Sequence, residues 1–410
     1  MMHIYFVSLG CDKNLVDSEK MLALLAKEGY ELTDEPEQAE IIVVNTCAFI
    51  HDAKQESIET LLELAEYKKT GKCKVLIASG CLAERYQDTI LEEMPEIDGV
   101  IGTTAYDDIA VVVKKALSGE HTSLTKELDY LPVHLTDRVT SGMSHVGYLK
   151  ISEGCNKNCT YCIIPSMRGH YRSVPMEDLI EEAEKLAEKG IRELILVAQE
   201  TTLYGVDLYH EKKLPELLRR LSKIHDIAWL RVLYCYPEEI TIELAQELRN
   251  NPKVCHYLDL PIQHCNDDVL KRMGRRTTKA ELMEKIKMLR TEIPDIALRT
   301  TLISGFPGET DKQHEECIEF VREMKFDRLG VFPYSEEEGT KAADYPEQID
   351  MELRRRWADE IMEAQQEVIF AQNETLVGKT YAAIVDGYLP QDDVYVARTY
   401  RDTPEIDGCI

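Results

Sequence analysis

The sequence predicts an α/β protein in three parts: two successive parallel-sheet segments and a short β segment at the end. Three observations predict it. Fully apolar runs alternate with helical stretches from His3 to Gly102, the alternation restarts with a longer beat at Val146, and after Asn373 the texture turns to β. Strands that are apolar along their whole length and separated by helices belong to parallel sheets covered on both faces.

In the first part, residues 3–10, 41–46 and 75–80 read as strands, with 99–102 as a short fourth. Between them, residues 15–28 and 57–68 carry apolar side chains at helical spacing, among them Leu61, Leu62, Leu64 and Ala65. Residues 119–144 have weak periodicity and are expected to be a linker. The second part has candidate strands at 146–151, 193–197, 229–233, 256–260, 297–303 and 328–331. Helical stretches at 176–189, 214–224, 240–250, 279–292 and 311–324 intervene, the first opening behind Pro175. Right-handed crossovers are expected, and the pattern alone leaves an open sheet and a partial barrel both standing. Residues 350–373 form a long charged helix with Leu353, Trp357, Ile361 and Ile369 on its apolar positions. Strands at 379–385 and 394–399 follow, with Gly387 and Pro390 as turn signals. The expected domains are residues 1–135, 140–372 and 373–410.

The composition is that of a globular protein: 410 residues, 44% hydrophobic and 30% charged. The net charge of −27 argues against nucleic acid, which is gripped through cationic surface, and suits a basic partner. No apolar run approaches the roughly 18 residues that cross a membrane, and the first residues lack a basic, then apolar, secretory signal. A cytoplasmic location is therefore expected. There, 12 cysteines point to metal or redox chemistry rather than disulfides.

The strongest local signal is Cys155-Asn156-Lys157-Asn158-Cys159-Thr160-Tyr161-Cys162, a C-x3-C-x2-C run in a loop after a strand. Three thiolates this close face one metal centre, and soft sulfur ligands select zinc or iron–sulfur clusters. A zinc knuckle would need a fourth ligand, for which His170 is the nearest candidate; a four-iron cluster on three thiolates keeps one iron open. The second signal is dispersed. Cys11, Cys47 and Cys81 each follow a predicted parallel strand. The C-terminal strand ends of a parallel sheet share one edge, and neighbouring strands lie about 5 Å apart, so three such ends present three sulfurs to one centre. The alternative is three buried core cysteines.

The C-x3-C-x-aromatic-C run after the first strand of a (β/α)6 pattern resembles the radical S-adenosylmethionine (SAM) superfamily. With the second cysteine set, nearly the whole chain resembles the methylthiotransferase family. The carrying motifs are Ser8-Leu9-Gly10-Cys11-Asp12-Lys13-Asn14 through Glu19, Ile163-Ile164-Pro165-Ser166-Met167-Arg168-Gly169-His170 through Ser173, and Leu260-Pro261-Ile262-Gln263-His264. Asp12-Lys13-Asn14 and Cys235-Tyr236-Pro237 resemble the branch that modifies a ribosomal protein rather than the branch that modifies tRNA.

The resemblance implies an open (β/α)6 partial TIM barrel in the centre and a small β-barrel called TRAM at the end. It implies that Cys155, Cys159 and Cys162 hold a 4Fe–4S cluster that binds SAM, and that Cys11, Cys47 and Cys81 hold a second. Tyr161 is expected near the adenine, and Glu200, Gln263 and Arg299 at strand ends bordering SAM, as is Gly305-Phe306-Pro307-Gly308-Glu309-Thr310. The implied reaction is methylthiolation of the β-carbon of an aspartate in the small-subunit ribosomal protein S-twelve. A 5′-deoxyadenosyl radical removes the hydrogen, and a second SAM supplies the methyl group. Implied partners are the basic ribosomal protein and a reductant such as flavodoxin or ferredoxin. The alternatives are a tRNA methylthiotransferase and a non-catalytic metal or electron-transfer protein.

Cys73, Cys235, Cys255, Cys265, Cys317 and Cys409 match no ligand position and are expected to be plain thiols. From Glu374 onward the charges are three positive and seven negative, the wrong sign for an RNA module. The final residues read as an incomplete TRAM barrel, so the segment after about Gly378 is expected to be truncated and mobile.

Overall fold

The computed structural model describes residues 2–133 and 137–410. They divide into two compact units, one of Met1–Gly142, Tyr148–Lys157 and Cys162–Lys185, the other of Met143–Gly147, Asn158–Tyr161 and Leu186–Ile410.

The first unit is built on a six-stranded parallel sheet: β1 (His3–Ser8), β2 (Glu31–Leu32), β3 (Ile41–Thr46), β4 (Val75–Gly80), β5 (Gly99–Ile101) and β6 (Thr122–Leu124), ordered β2-β1-β3-β4-β5-β6. Every residue of β3 and β4 is buried, as the continuous apolar runs require. Successive side chains alternate between two cores. Ile42, Val44, Leu76 and Ala78 pack with Leu61 and Leu64 of helix His51–Ala65. Ile41, Val43, Val75 and Ile77 pack with Met21 and Leu25 of helix Asp12–Lys27 and with Val112 of helix Ile109–Leu117.

The linker expectation is corrected. β6 lies inside 119–144 and pairs with β5, and Arg138 is buried between Glu182 Oε1 (3.0 Å) and Glu19 Oε2 (3.2 Å). Its weak periodicity reflects burial through ion pairs rather than through an apolar face. Residues 134–136 of that segment lie outside the described residues.

The remaining parallel strands are β7 (Val146–Lys150), β10 (Glu193–Val197), β11 (Trp229–Val232), β12 (Tyr257–Gln263), β13 (Ala297–Ser304) and β14 (Arg328–Pro333); β8 (Ser152–Glu153) and β9 (Arg172–Ser173) form a separate antiparallel pair. The order is β7-β10-β11, then β12-β13-β14. It follows the chain and never reverses, which is the order of a barrel wall rather than of a doubly wound sheet. Between β11 and β12 the wall narrows to an isolated parallel bridge of Leu230 with Val254, which precedes β12. Past the end of β11, the Asp259 carboxylate accepts the Tyr234 N–H and the Asp259 carbonyl the Cys235 N–H, each at 3.0 Å.

The end of the chain is ordered against the starts of the barrel strands. β15 (Ala383–Leu389) and β16 (Val394–Thr399) form an antiparallel hairpin. Arg398 is buried and pairs with Glu193 (2.8 Å) at the start of β10 and with Asp386 (2.6 Å). Asp407 accepts from Tyr257 Oη and Arg299 Nη1, both at 2.7 Å. The Ala397 and Ile410 backbones exchange hydrogen bonds of 2.9 and 2.8 Å. The expectation of mobility after Gly378 is therefore corrected for 397–407: buried charges with long-range partners hold it. No helix among the described residues is long and apolar enough to cross a membrane.

Candidate cluster sites

β1, β3 and β4 are neighbours, and a cysteine stands at the C-terminal end of each. Cys11 precedes helix Asp12–Lys27, Cys47 follows β3, and Cys81 opens helix Cys81–Tyr86 directly after β4. The turns are closed so tightly that two glycines are required. Gly10 has φ +87°, and a Cβ there would lie 2.8 Å from Cys47 Cβ. Gly80, also at φ +87°, would meet Asn45 Oδ1 at 2.1 Å.

A polar frame fixes these strand ends. Asn14 Nδ2 donates to the carbonyls of Leu9 (3.0 Å) and Thr46 (2.9 Å). Asn45 Nδ2 donates to Asn14 O and to Ser18 Oγ, each at 2.8 Å, and Ser18 Oγ donates to Ser8 Oγ at 2.7 Å. Ser57 Oγ accepts the Cys47 N–H at 2.9 Å. The motif from Ser8 to Glu19 is thus the frame of the first cysteine turn.

Burial pushes the Cys47 thiol up to about 12, and the neighbouring Cys81 and Cys11 sulfurs add to the rise. Burial also raises Cys81, against the opposing pull of the Arg168 guanidinium. Arg168 Nη2 lies 3.4 Å from Cys81 Sγ. Sequence reasoning missed this contact, although Arg168 stands in a quoted motif.

Of the C-x3-C-x2-C cysteines, Cys155 and Cys162 fall in the first unit and Cys159 in the second. Gly154, at φ +80°, would place a Cβ 2.1 Å from His170 O, and the Cys155 N–H donates to Gly169 O at 3.1 Å. Lys157 N–H points at Cys155 Sγ at 3.4 Å. Cys159 Sγ lies 3.8 Å from Tyr236 Oη. His170, the candidate fourth zinc ligand, is exposed, with Nδ1 engaged by Asp129 at 2.9 Å.

The residues expected around SAM divide. Glu200 is fully buried after β10, where Oε1 accepts the Thr202 N–H at 3.0 Å. Gln263 ends β12 with φ +72°, beside a register shift. Tyr161 packs against the Met273, Phe306 and Tyr334 cluster. Arg299 is placed apart from these. It sits third in β13, in the half near the strand starts, bonded to Asp407 and 3.7 Å from Asp259.

His264, Cys265 and Cys317 form a further buried group with ligand-type atoms close together. The Asn266 N–H donates to His264 Nδ1 at 2.9 Å, so the neutral ring carries its proton on Nε2, which faces Glu309 Oε1 at 3.2 Å. That tautomer offers no lone pair to an ion. Of the remaining cysteines, Cys73, Cys235, Cys255, Cys265 and Cys317 are buried and Cys409 is exposed.

Three family models match: Uncharacterized protein family UPF0004 over residues 3–102, the Radical SAM superfamily over 149–321, and the TRAM domain over 377–410. The chain is 57% identical over 409 residues to the ribosomal protein uS12 methylthiotransferase RimO of Lachnoclostridium phytofermentans, covering 100% of this chain and 93% of that one. It is 50% identical to the protein of the same name from Acetivibrio thermocellus, over 98% of this chain and 90% of the relative. The chain belongs to the RimO family of radical SAM methylthiotransferases. Among solved structures, the radical SAM methyltransferase TsrM from Kitasatospora setae is similar in fold, with a TM-score of 0.58 at 14% identity over 81% of this chain and 75% of that one. OxsB, a cobalamin-dependent SAM radical enzyme, is similar with a TM-score of 0.56 at 13% identity, over 97% and 64%.

Membership in the RimO family implies SAM and 4Fe–4S clusters, and the residues fit them. Cys11, Cys47 and Cys81 are sulfur donors within electrostatic reach of one another, the donor type that iron–sulfur clusters take.

Proposed function

We propose that the chain methylthiolates the β-carbon of an aspartate in ribosomal protein uS12, by radical SAM chemistry. The similarity along the full chain to uS12 methylthiotransferases carries this reading. Cys155, Cys159 and Cys162 hold the cluster that binds SAM, and Cys11, Cys47 and Cys81 hold the second. When bound, the first cluster supplies the electron that cleaves SAM, and the second supplies the site of the sulfur that is transferred. The chain's own residues do the rest. The Asn14, Asn45 and Ser57 frame keeps three strand ends rigid, so that the thiols need no reorganisation to ligate. Glu200 and Gln263, at the C-terminal ends of barrel strands, would orient SAM, and Tyr161 would contact its adenine. Arg299 is left out, because Asp407 occupies its guanidinium.

Charge supports a protein substrate over tRNA. In the last 37 residues, Arg398 and Arg401 are spent on Glu193, Asp386 and Asp327. Glu374, Asp392, Asp393 and Glu405 remain exposed against the single exposed cation Lys379. This surplus of exposed negative charge attracts a basic ribosomal protein and repels a phosphate backbone. A flavodoxin- or ferredoxin-type protein serves as reductant, in the cytoplasm. The three domains keep the bounds 1–135, 140–372 and 373–410.

The test is a paired assay. Anaerobically reconstituted chain, with SAM, sulfide and dithionite, is offered a uS12 peptide containing the aspartate and, separately, a tRNA. Mass spectrometry is expected to find a methylthio group replacing one hydrogen on the aspartate alone. Modified tRNA with unmodified peptide would establish the tRNA reading instead.

A further inference from the structure

Arg168 is buried on the short helix Ile164–Arg168, six residues after Cys162 in sequence. Its two terminal nitrogens serve different partners. Nη1 binds the carboxylates of Asp17 (2.8 Å) and Glu153 (3.2 Å), while Nη2 binds Asn14 Oδ1 and faces Cys81 Sγ at 3.4 Å. Lys150 pairs with the same two carboxylates, reaching Glu153 Oε2 at 2.7 Å, so Arg168 shares them with a second buried cation. The Nη2 edge turns toward the sulfur with the Asn14 amide oxygen beside it.

We infer that Arg168 is a positioning residue that sets the reduction potential of the cluster on Cys11, Cys47 and Cys81. This rests on the proposed function. A four-iron cluster gains one negative charge on reduction, and its potential follows net charge and hydrogen bonds to its sulfurs. A fixed guanidinium donating toward Cys81 Sγ in a buried site stabilises the reduced state and raises the potential. Asp17, which holds Arg168 from behind, acts in the opposite sense.

The experiment uses the full chain carrying Cys155→Ala, Cys159→Ala and Cys162→Ala, so that one cluster gives the signal. The midpoint potential is read by redox titration followed by electron paramagnetic resonance. Arg168→Gln is expected to lower the reduced-to-oxidised ratio at fixed potential at least tenfold, about 59 mV for a one-electron couple. Asp17→Asn is expected to move it the other way. Opposite shifts cannot come from loosened packing, which would move both variants alike. Unchanged potentials, or shifts of one sign, overturn the inference. If Arg168→Gln binds no iron, Asp17→Asn decides alone: a raised potential supports the inference, and an unchanged or lowered one overturns it. If the parent triple variant itself binds no iron, the cluster assignment fails first, and this inference falls with it.

Discussion

Cys47 concentrates the chemistry of single residues in this protein. Its thiol is raised from 9.0 to about 12 by burial, so the folded metal-free chain keeps a proton that the unfolded chain releases. Above pH 9.0 the unfolded state binds fewer protons than the native state at this residue, and stability must fall as pH rises. The metal-free wild type should lose about 1.4 kcal/mol per pH unit more than Cys47→Ala between pH 9 and 11, as measured by urea unfolding. Parallel slopes would show that the thiol is not held protonated. At the same scale, Cys47→Ala should keep SAM cleavage and lose sulfur insertion, whereas Cys159→Ala should lose SAM cleavage. Methylthiolation at the normal rate by Cys47→Ala would remove Cys47 from the second cluster. The cysteines were legible because each follows an apolar strand, and parallel strands bring their ends to one edge. Arg299 was legible only as a polar strand residue: its partner Asp407 lies 108 positions away, and no local pattern marks the pair.

Elements differ in how much of them the chain announces. β3, β4, β10 and β16 match their apolar or alternating runs, and helices Lys279–Glu292 and Asp311–Met324 match theirs, each opened by a capping box at Thr278 or Thr310. β15 was displaced, because Gly387, read as a turn, sits within the strand at a register shift with Val385. β6 and the final residues were misjudged for a shared reason. Both are secured by long-range polar contacts, which leave no hydrophobic period. Arg398→Ala should therefore cost about 3 kcal/mol, the low end for a broken buried pair, because it removes the cation shared by Glu193 and Asp386 and leaves them to Arg231 and His145. Arg322→Ala, which removes the exposed pair with Glu367, should cost less than about 1 kcal/mol. Equal costs in urea unfolding would contradict the buried anchor. Hydrogen exchange should likewise find the Ala397 amide protected, since it donates to Ile410 O at 2.9 Å.

For the molecule as a whole, the same parallel-sheet rule operates twice. Each sheet carries cysteines or SAM-site candidates at the C-terminal ends of its strands, while Asp407 and Arg398 bind at the starts of the barrel strands. The division of cysteines into two sets is the central claim, and counting iron and sulfide in anaerobically reconstituted protein tests it most directly. The wild type should bind about eight irons, with Cys11→Ala/Cys47→Ala/Cys81→Ala and Cys155→Ala/Cys159→Ala/Cys162→Ala each retaining about four. Four irons in the wild type, or loss of all iron from either triple variant, would contradict two independent clusters.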